Sequence, residues 1–188
     1  MNKVSDYIEF DTAQRKGFQL LKDDKKFRIG FYIIVGINTG LRVSDLLKMR
    51  FGDFKSDKLV LTETKTKKQR IITINTNIKK AYDRLSKKFI ELNIDINDDD
   101  YIFVSQKGMV YNTQSINYIL KQVFNTKKLQ ISNHSLRKSF GRRVYEINND
   151  SENALVLFSD IFNHSNLSIT RRYLGIRQET ISNVYLAL

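Results

Sequence analysis

One stretch limits the possible folds more than any other. Phe27 to Ile37 (FRIGFYIIVGI) is apolar at nearly every position, so it has no polar face to turn to solvent. A helix of that kind is buried, in a protein core or in a bilayer. Crossing a bilayer takes about 20 apolar residues, and the unbroken run from Phe31 to Ile37 is far shorter. The stretch therefore predicts a core helix. It is closed by Asn38-Thr39-Gly40, with Gly40 as the C-terminal stop.

The rest of the chain supplies elements to cover it. Asp11 or Thr12 can cap an earlier helix running to about Lys22. A short helix is expected over Ser44–Met49. Lys58–Glu63 and Arg70–Asn75 are rich in β-branched residues and flank a polar turn, Thr64–Gln69, which predicts a hairpin. Ile78, Ala81, Tyr82, Leu85, Phe89 and Leu92 recur at helical spacing over Ile78–Leu92. Asp98-Asp99-Asp100 reads as a loop before a short buried run, Tyr101–Val104. Asn112 or Thr113 caps a helix to about Phe124, and further helices are expected over about His134–Ile147, Glu152–Phe162 and Ser168–Leu174. Proline is absent, and neither a repeat nor a linker is visible. Residues 1–188 thus read as one domain, with a weakly helical tail at 176–188. The fold class is mainly α with a small antiparallel β-sheet against one side (α+β).

Charge narrows the partners. Lysine and arginine number 32 against 20 acids, a net charge of +12. Such an excess favours a polyanion, nucleic acid first and a membrane surface second. The absence of cysteine excludes disulfides and thiolate metal sites. Met1–Phe10 carries acids and no apolar signal core, so the expected location is the cytoplasm.

The chain has only two histidines. His134-Ser135-Leu136-Arg137 places a histidine and an arginine three residues apart, on one face of a helix. His164 precedes Tyr173 by nine residues. Far upstream, Thr39-Gly40-Leu41-Arg42-Val43-Ser44-Asp45-Leu46 sets an arginine just after a helix stop.

These three boxes, in this order, resemble the tyrosine recombinases of the phage-integrase family. The resemblance runs from about Asp11 to Leu174. It implies the tyrosine-recombinase catalytic-domain fold, and site-specific cleavage and rejoining of DNA through a covalent phosphotyrosine, as a mobile-element integrase would need. It implies an active site of Arg42, Lys65, His134, Arg137, His164 and the nucleophile Tyr173, supported by Asp45. Lys65 falls in the hairpin turn where the family keeps a mobile lysine, although Lys67 and Lys68 are its neighbours and can also meet DNA. Lys138, Arg142 and Arg143, on the helix of Arg137, are further candidates for phosphate contacts. Two departures stand out. Phe162-Asn163-His164 replaces the usual Leu-Gly-His, and Asn148-Asn149-Asp150-Ser151 lengthens the interval before it. Full-length members carry an N-terminal DNA-clamping domain, and residues 1–188 are expected to be the catalytic domain without it. The family also exchanges C-terminal segments between protomers, so a tetramer on double-stranded DNA is expected.

The residue types suit that chemistry. Two planar guanidinium forks can bridge the non-bridging oxygens of a pentacoordinate phosphorus. The tyrosine hydroxyl attacks, and its ordinary pKa near 10 means that it needs help to lose its proton. A lysine can protonate the departing 5′ oxygen. No cofactor or metal is required, because the arginines supply the charge clamp. Three rivals remain: a type IB topoisomerase, a DNA-binding module whose catalysis has decayed, and a nuclease holding Mg²⁺ on Asp98-Asp99-Asp100.

Overall fold

The computed structural model describes residues 5–124, 129–149, 151–162, 166–175 and 185–186. His164, and all of the tail but Tyr185 and Leu186, lie outside them. The architecture is mainly helical with one two-stranded antiparallel sheet.

Helix α2 (Phe27–Thr39) is the centre, with all but two of its residues buried. It packs against α1 (Phe10–Leu20), α4 (Thr76–Glu91) and α6 (Asn133–Ile147). The approach of α1 to α2 is close because both carry glycine at the crossing. A Cβ on Gly30 would stand 2.6 Å from the Gly17 carbonyl oxygen and 2.7 Å from the Leu21 nitrogen. Neither backbone atom can move aside. Gly40 ends α2 in the left-handed conformation, φ 60°, as its position after the apolar run predicts.

α3 (Val43–Leu46) is shorter than the Ser44–Met49 expected. A 3₁₀ turn at Phe51–Phe54 follows, which the sequence does not announce. Strands β1 (Lys58–Thr62) and β2 (Gln69–Thr73) pair with Leu59 opposite Ile72 and Leu61 opposite Arg70. The hairpin is as expected, but each strand stops short of the expected end: Glu63 leaves β1 for the turn, and Asn75 instead caps α4, its side chain accepting from the Ile78 N–H at 3.0 Å. Asn112 caps α5 (Thr113–Phe124) by accepting from the Ser115 N–H at 2.8 Å. At α1 the expected cap is corrected: the helix begins at Phe10, Glu9 precedes it without a side-chain cap, and Asp11 and Thr12 lie inside the first turn.

A second, smaller core carries the last elements. Leu155, Phe158 and Phe162 of α7 (Glu152–Phe162) pack with Leu174 of α8 (Leu167–Leu174), and Phe140 and Tyr173 close over them. In the Asp98–Asp100 loop, Asp98 and Asp100 hold different partners within the fold. Asp98 pairs with Lys55 at 2.6 Å, and Asp100 accepts the Asn97 N–H at 2.8 Å. No described helix is long and apolar enough to cross a membrane.

Candidate active site

The C-terminal end of α2 organises the site. The last carbonyls of a helix lack intrahelical donors and carry the negative end of its dipole, so they attract cations. Arg70 donates to the Thr39 carbonyl at 3.0 Å, and Arg137 donates to the Gly40 carbonyl. Arg42 follows two residues later as the N-cap of α3. Three guanidiniums from distant parts of the sequence thus gather around one helix end.

Arg137 is held by its own helix start. Ser132 accepts from the His134 N–H at 3.1 Å while Ser135 accepts from the Ser132 N–H at 3.0 Å, a reciprocal cap. Asn133 joins that start to the core by accepting from the Tyr32 hydroxyl at 2.5 Å. The Arg137 side chain then turns inward, 5% exposed, with its guanidinium carbon 3.5 Å from the Phe162 ring centroid. Burial lowers its pKa to about 10, with Tyr173 and Glu63 acting to keep the charge and Arg42 and Arg70 acting against it.

Tyr173 comes to this cluster from α8. Its ring lies on Phe158 and Phe162, with centroids 6.2 and 5.8 Å away. Burial pushes the hydroxyl up to about 12, while Arg137, close enough to approach it with its N–H groups, and then Arg42 pull in the other direction. At neutral pH the group is a phenol beside fixed positive charge.

The other expected residues, His164 aside, lie on α3, on the hairpin turn and on α6. Asp45 is 4% exposed and accepts the Thr64 N–H at 2.8 Å, so it pins the start of the hairpin turn. Lys65, Lys67 and Lys68 are exposed on that turn, and Lys67 has left-handed backbone, φ 58°. Lys138 is buried, its ammonium 5.4 Å from the Tyr173 ring centroid, so it belongs to the site's interior. Arg142 stacks on Tyr7 and Arg143 on Phe10, and both approach Glu146 at 3.9 Å. Those two brace the N-terminal segment, and Arg143 keeps the more exposed side chain, 43% against 16%.

His134 is exposed at the lip of the cluster, yet its pKa is held below the usual histidine value of 6.5, first by desolvation and then by the charges of Arg137 and Lys138. Its imidazole is therefore neutral at pH 7. Removing a positive neighbour raises such a pKa. With two histidines in the chain, the NMR titration is simple to assign. We expect a His134 midpoint below 6.5 that rises in Lys138→Met. A midpoint unchanged by that substitution would show that the Lys138 charge does not reach the ring.

Two residues were missed from the sequence, Glu63 and Arg70. Glu63 is 1% exposed and accepts from Arg42 at 2.7 Å and Arg70 at 3.4 Å. The strand alternation held the signal: Leu59, Leu61 and Glu63 share one face, and Leu59 is buried. A glutamate continuing an inward-facing row needs a buried cation.

Guanidiniums converging on a tyrosine hydroxyl make a site for chemistry on a phosphate ester, with charge stabilisation supplied by arginine. Comparison with known proteins agrees. A profile of the phage integrase family matches residues 16–179. The probable integrase/recombinase YoeC of Bacillus subtilis (strain 168) is 32% identical over 165 residues, covering 86% of this chain and 85% of YoeC. This chain belongs to the phage integrase family. Tyrosine recombinase XerC of Leptospira interrogans serogroup Icterohaemorrhagiae serovar copenhageni is 25% identical over 98% of this chain, which spans 56% of that protein. Among solved structures, the XerA recombinase superposes with a TM-score of 0.68 at 20% identity, covering 100% of this chain and 66% of that one. XerH, solved with its palindromic difH substrate in a post-cleavage complex, superposes with a TM-score of 0.68 at 18% identity, covering 98% of this chain and 53% of that one. The fold is that of the tyrosine-recombinase catalytic domain. The chain spans about half the length of XerC and XerH.

Proposed function

We propose that this chain cleaves and rejoins duplex DNA at a defined site by transesterification. The Tyr173 oxygen attacks phosphorus as its proton passes to a histidine of the site, the bond from phosphorus to the 5′ oxygen breaks, and a 3′-phosphotyrosine forms. The freed 5′ hydroxyl of a second strand then displaces the tyrosine, so no ATP is consumed. Arg42 and Arg137 stabilise the charge that develops on the non-bridging oxygens. Lys65 protonates the departing oxygen. His134 and His164 assist at the phosphate, and Asp45 holds the lysine-bearing turn. The observation that carries this reading is that Arg137, bound to the end of α2 just before Arg42, and Tyr173 pack on the same Phe162 ring, with the Arg137 guanidinium carbon 3.5 Å and the Tyr173 ring centroid 5.8 Å from its centroid.

The partner is double-stranded DNA, met in the cytoplasm, and the working assembly is a tetramer completed by exchange of the C-terminal tail. Support for the partner comes from relatives solved on DNA, such as a lambda integrase dimer bound to a core site. The test is incubation with a library of nicked duplexes, followed by denaturing gels. The expected result is a covalent protein–DNA adduct that forms equally well in EDTA and without ATP. Cleavage that EDTA silences and that leaves no adduct would overturn the reading in favour of a metal nuclease. Relaxation of supercoiled DNA without a preferred site would point to a topoisomerase instead.

A further inference from the structure

We propose that Glu63 is a positioning residue whose carboxylate locks the Arg42 guanidinium and the lysine-bearing turn into a single unit. The proposal rests on the strand-cleavage reading above and adds to it an acid that the family boxes do not contain.

The carboxylate sits at a junction. It accepts from Arg42 at 2.7 Å, from the Thr66 hydroxyl at 2.7 Å and from Arg70 at 3.4 Å. Arg70 is itself fixed to the Thr39 carbonyl at the end of α2. The Glu63 backbone closes the same turn, its N–H donating to the Lys68 carbonyl and its carbonyl accepting from the Lys67 N–H, both at 2.9 Å. One residue later Thr64 is tied by its N–H to Asp45.

The consequence falls on Lys65. Its neighbours on both sides are bound to buried carboxylates, Thr64 to Asp45 and Thr66 to Glu63, while its own side chain is exposed. Its backbone is therefore fixed relative to Arg42, and its ammonium is free to swing. A general acid must meet the leaving oxygen while the arginine holds the phosphate, so a shared anchor for both groups matters to rate more than to affinity. The Glu63 carboxyl lies below its usual range: burial opposes this, but hydrogen bonds from Thr66 and Arg42 and the charges of Arg42 and Arg70 outweigh burial. It stays ionised at neutral pH.

The experiment is single-turnover adduct formation on the nicked duplex that reacts best with the unaltered chain. Glu63→Asp, which keeps the charge on a shorter arm, should lower the rate constant by about tenfold, and Glu63→Gln by about a hundredfold. Final adduct yield and half-saturating duplex concentration should stay unchanged. A merely structural role would lower the yield along with the melting temperature and leave the rate constant alone, and that result overturns the proposal. A second measurement needs no DNA. In ¹⁵N NMR, with signals assigned through Arg42→Lys, the Arg42 guanidinium should rotate slowly in the unaltered chain and quickly in Glu63→Asp. Equal rotation in both overturns the proposal. If the unaltered chain yields no adduct with any duplex, the strand-cleavage reading fails, and the NMR measurement still decides whether Glu63 holds Arg42.

Discussion

Tyr173→Phe abolishes covalent protein–DNA adducts, by at least about 10⁴-fold, because loss of the attacking atom cannot be compensated by binding. Duplex affinity in the same variant stays within about twofold, since most DNA affinity comes from phosphate contacts elsewhere. The fold survives: the ring remains on Phe158 and Phe162, and only the hydroxyl is removed. Denaturing gels and a filter-binding titration on one nicked duplex measure both quantities. Undiminished adduct in Tyr173→Phe would remove this residue as nucleophile.

Arg137→Ala produces the second large effect, and it acts on two levels. The guanidinium is packed over Phe162 and bound to the Gly40 carbonyl, so truncation leaves a cavity and an unpaired helix-end carbonyl. A loss of about 2–4 kcal/mol in unfolding free energy follows from those two defects. Among molecules that remain folded, the rate of adduct formation falls by about 10³-fold or more, because the charge matters most as the transition state forms. Arg137→Lys restores a charge without the planar fork, so it should regain part of the stability and little of the rate. Denaturant titration and single-turnover kinetics separate the two effects. If Arg137→Ala weakens duplex binding as much as cleavage, the residue serves binding and the assigned role is wrong.

Much of this was legible in the sequence, and the reasons differ by element. The burial of α2 followed from its lack of a polar face, and its end at Gly40 from the backbone freedom that glycine alone supplies cheaply. Helix α4 followed from apolar spacing and α5 from the cap at Asn112, while Asn75, read as the last residue of a strand, caps α4 instead. The start of α1 did not follow, because Asp11 and Thr12 look like caps locally while the helix begins at Phe10 behind Glu9, which makes no side-chain cap. Arg42, Arg137 and Tyr173 could be named from their boxes, but their meeting point could not: it is made by two carbonyls at the end of α2, which carry no side-chain signal. Glu63 and Arg70 belong to no box. They become visible only when the strand alternation is followed inward to a charge that needs a partner. Lys138 misleads in the opposite way. A lysine on a basic helix suggests solvent, and tertiary packing buries it beside Tyr173.

The most direct test of the central claim is the point of attachment in the trapped adduct. Trypsin should release Tyr173 in the peptide Tyr173-Leu174-Gly175-Ile176-Arg177, cut after Arg172 and Arg177. Nuclease-trimmed adduct, analysed by tandem mass spectrometry, should carry the nucleotide phosphate on the Tyr173 oxygen. Attachment at any other residue of the chain would contradict the account.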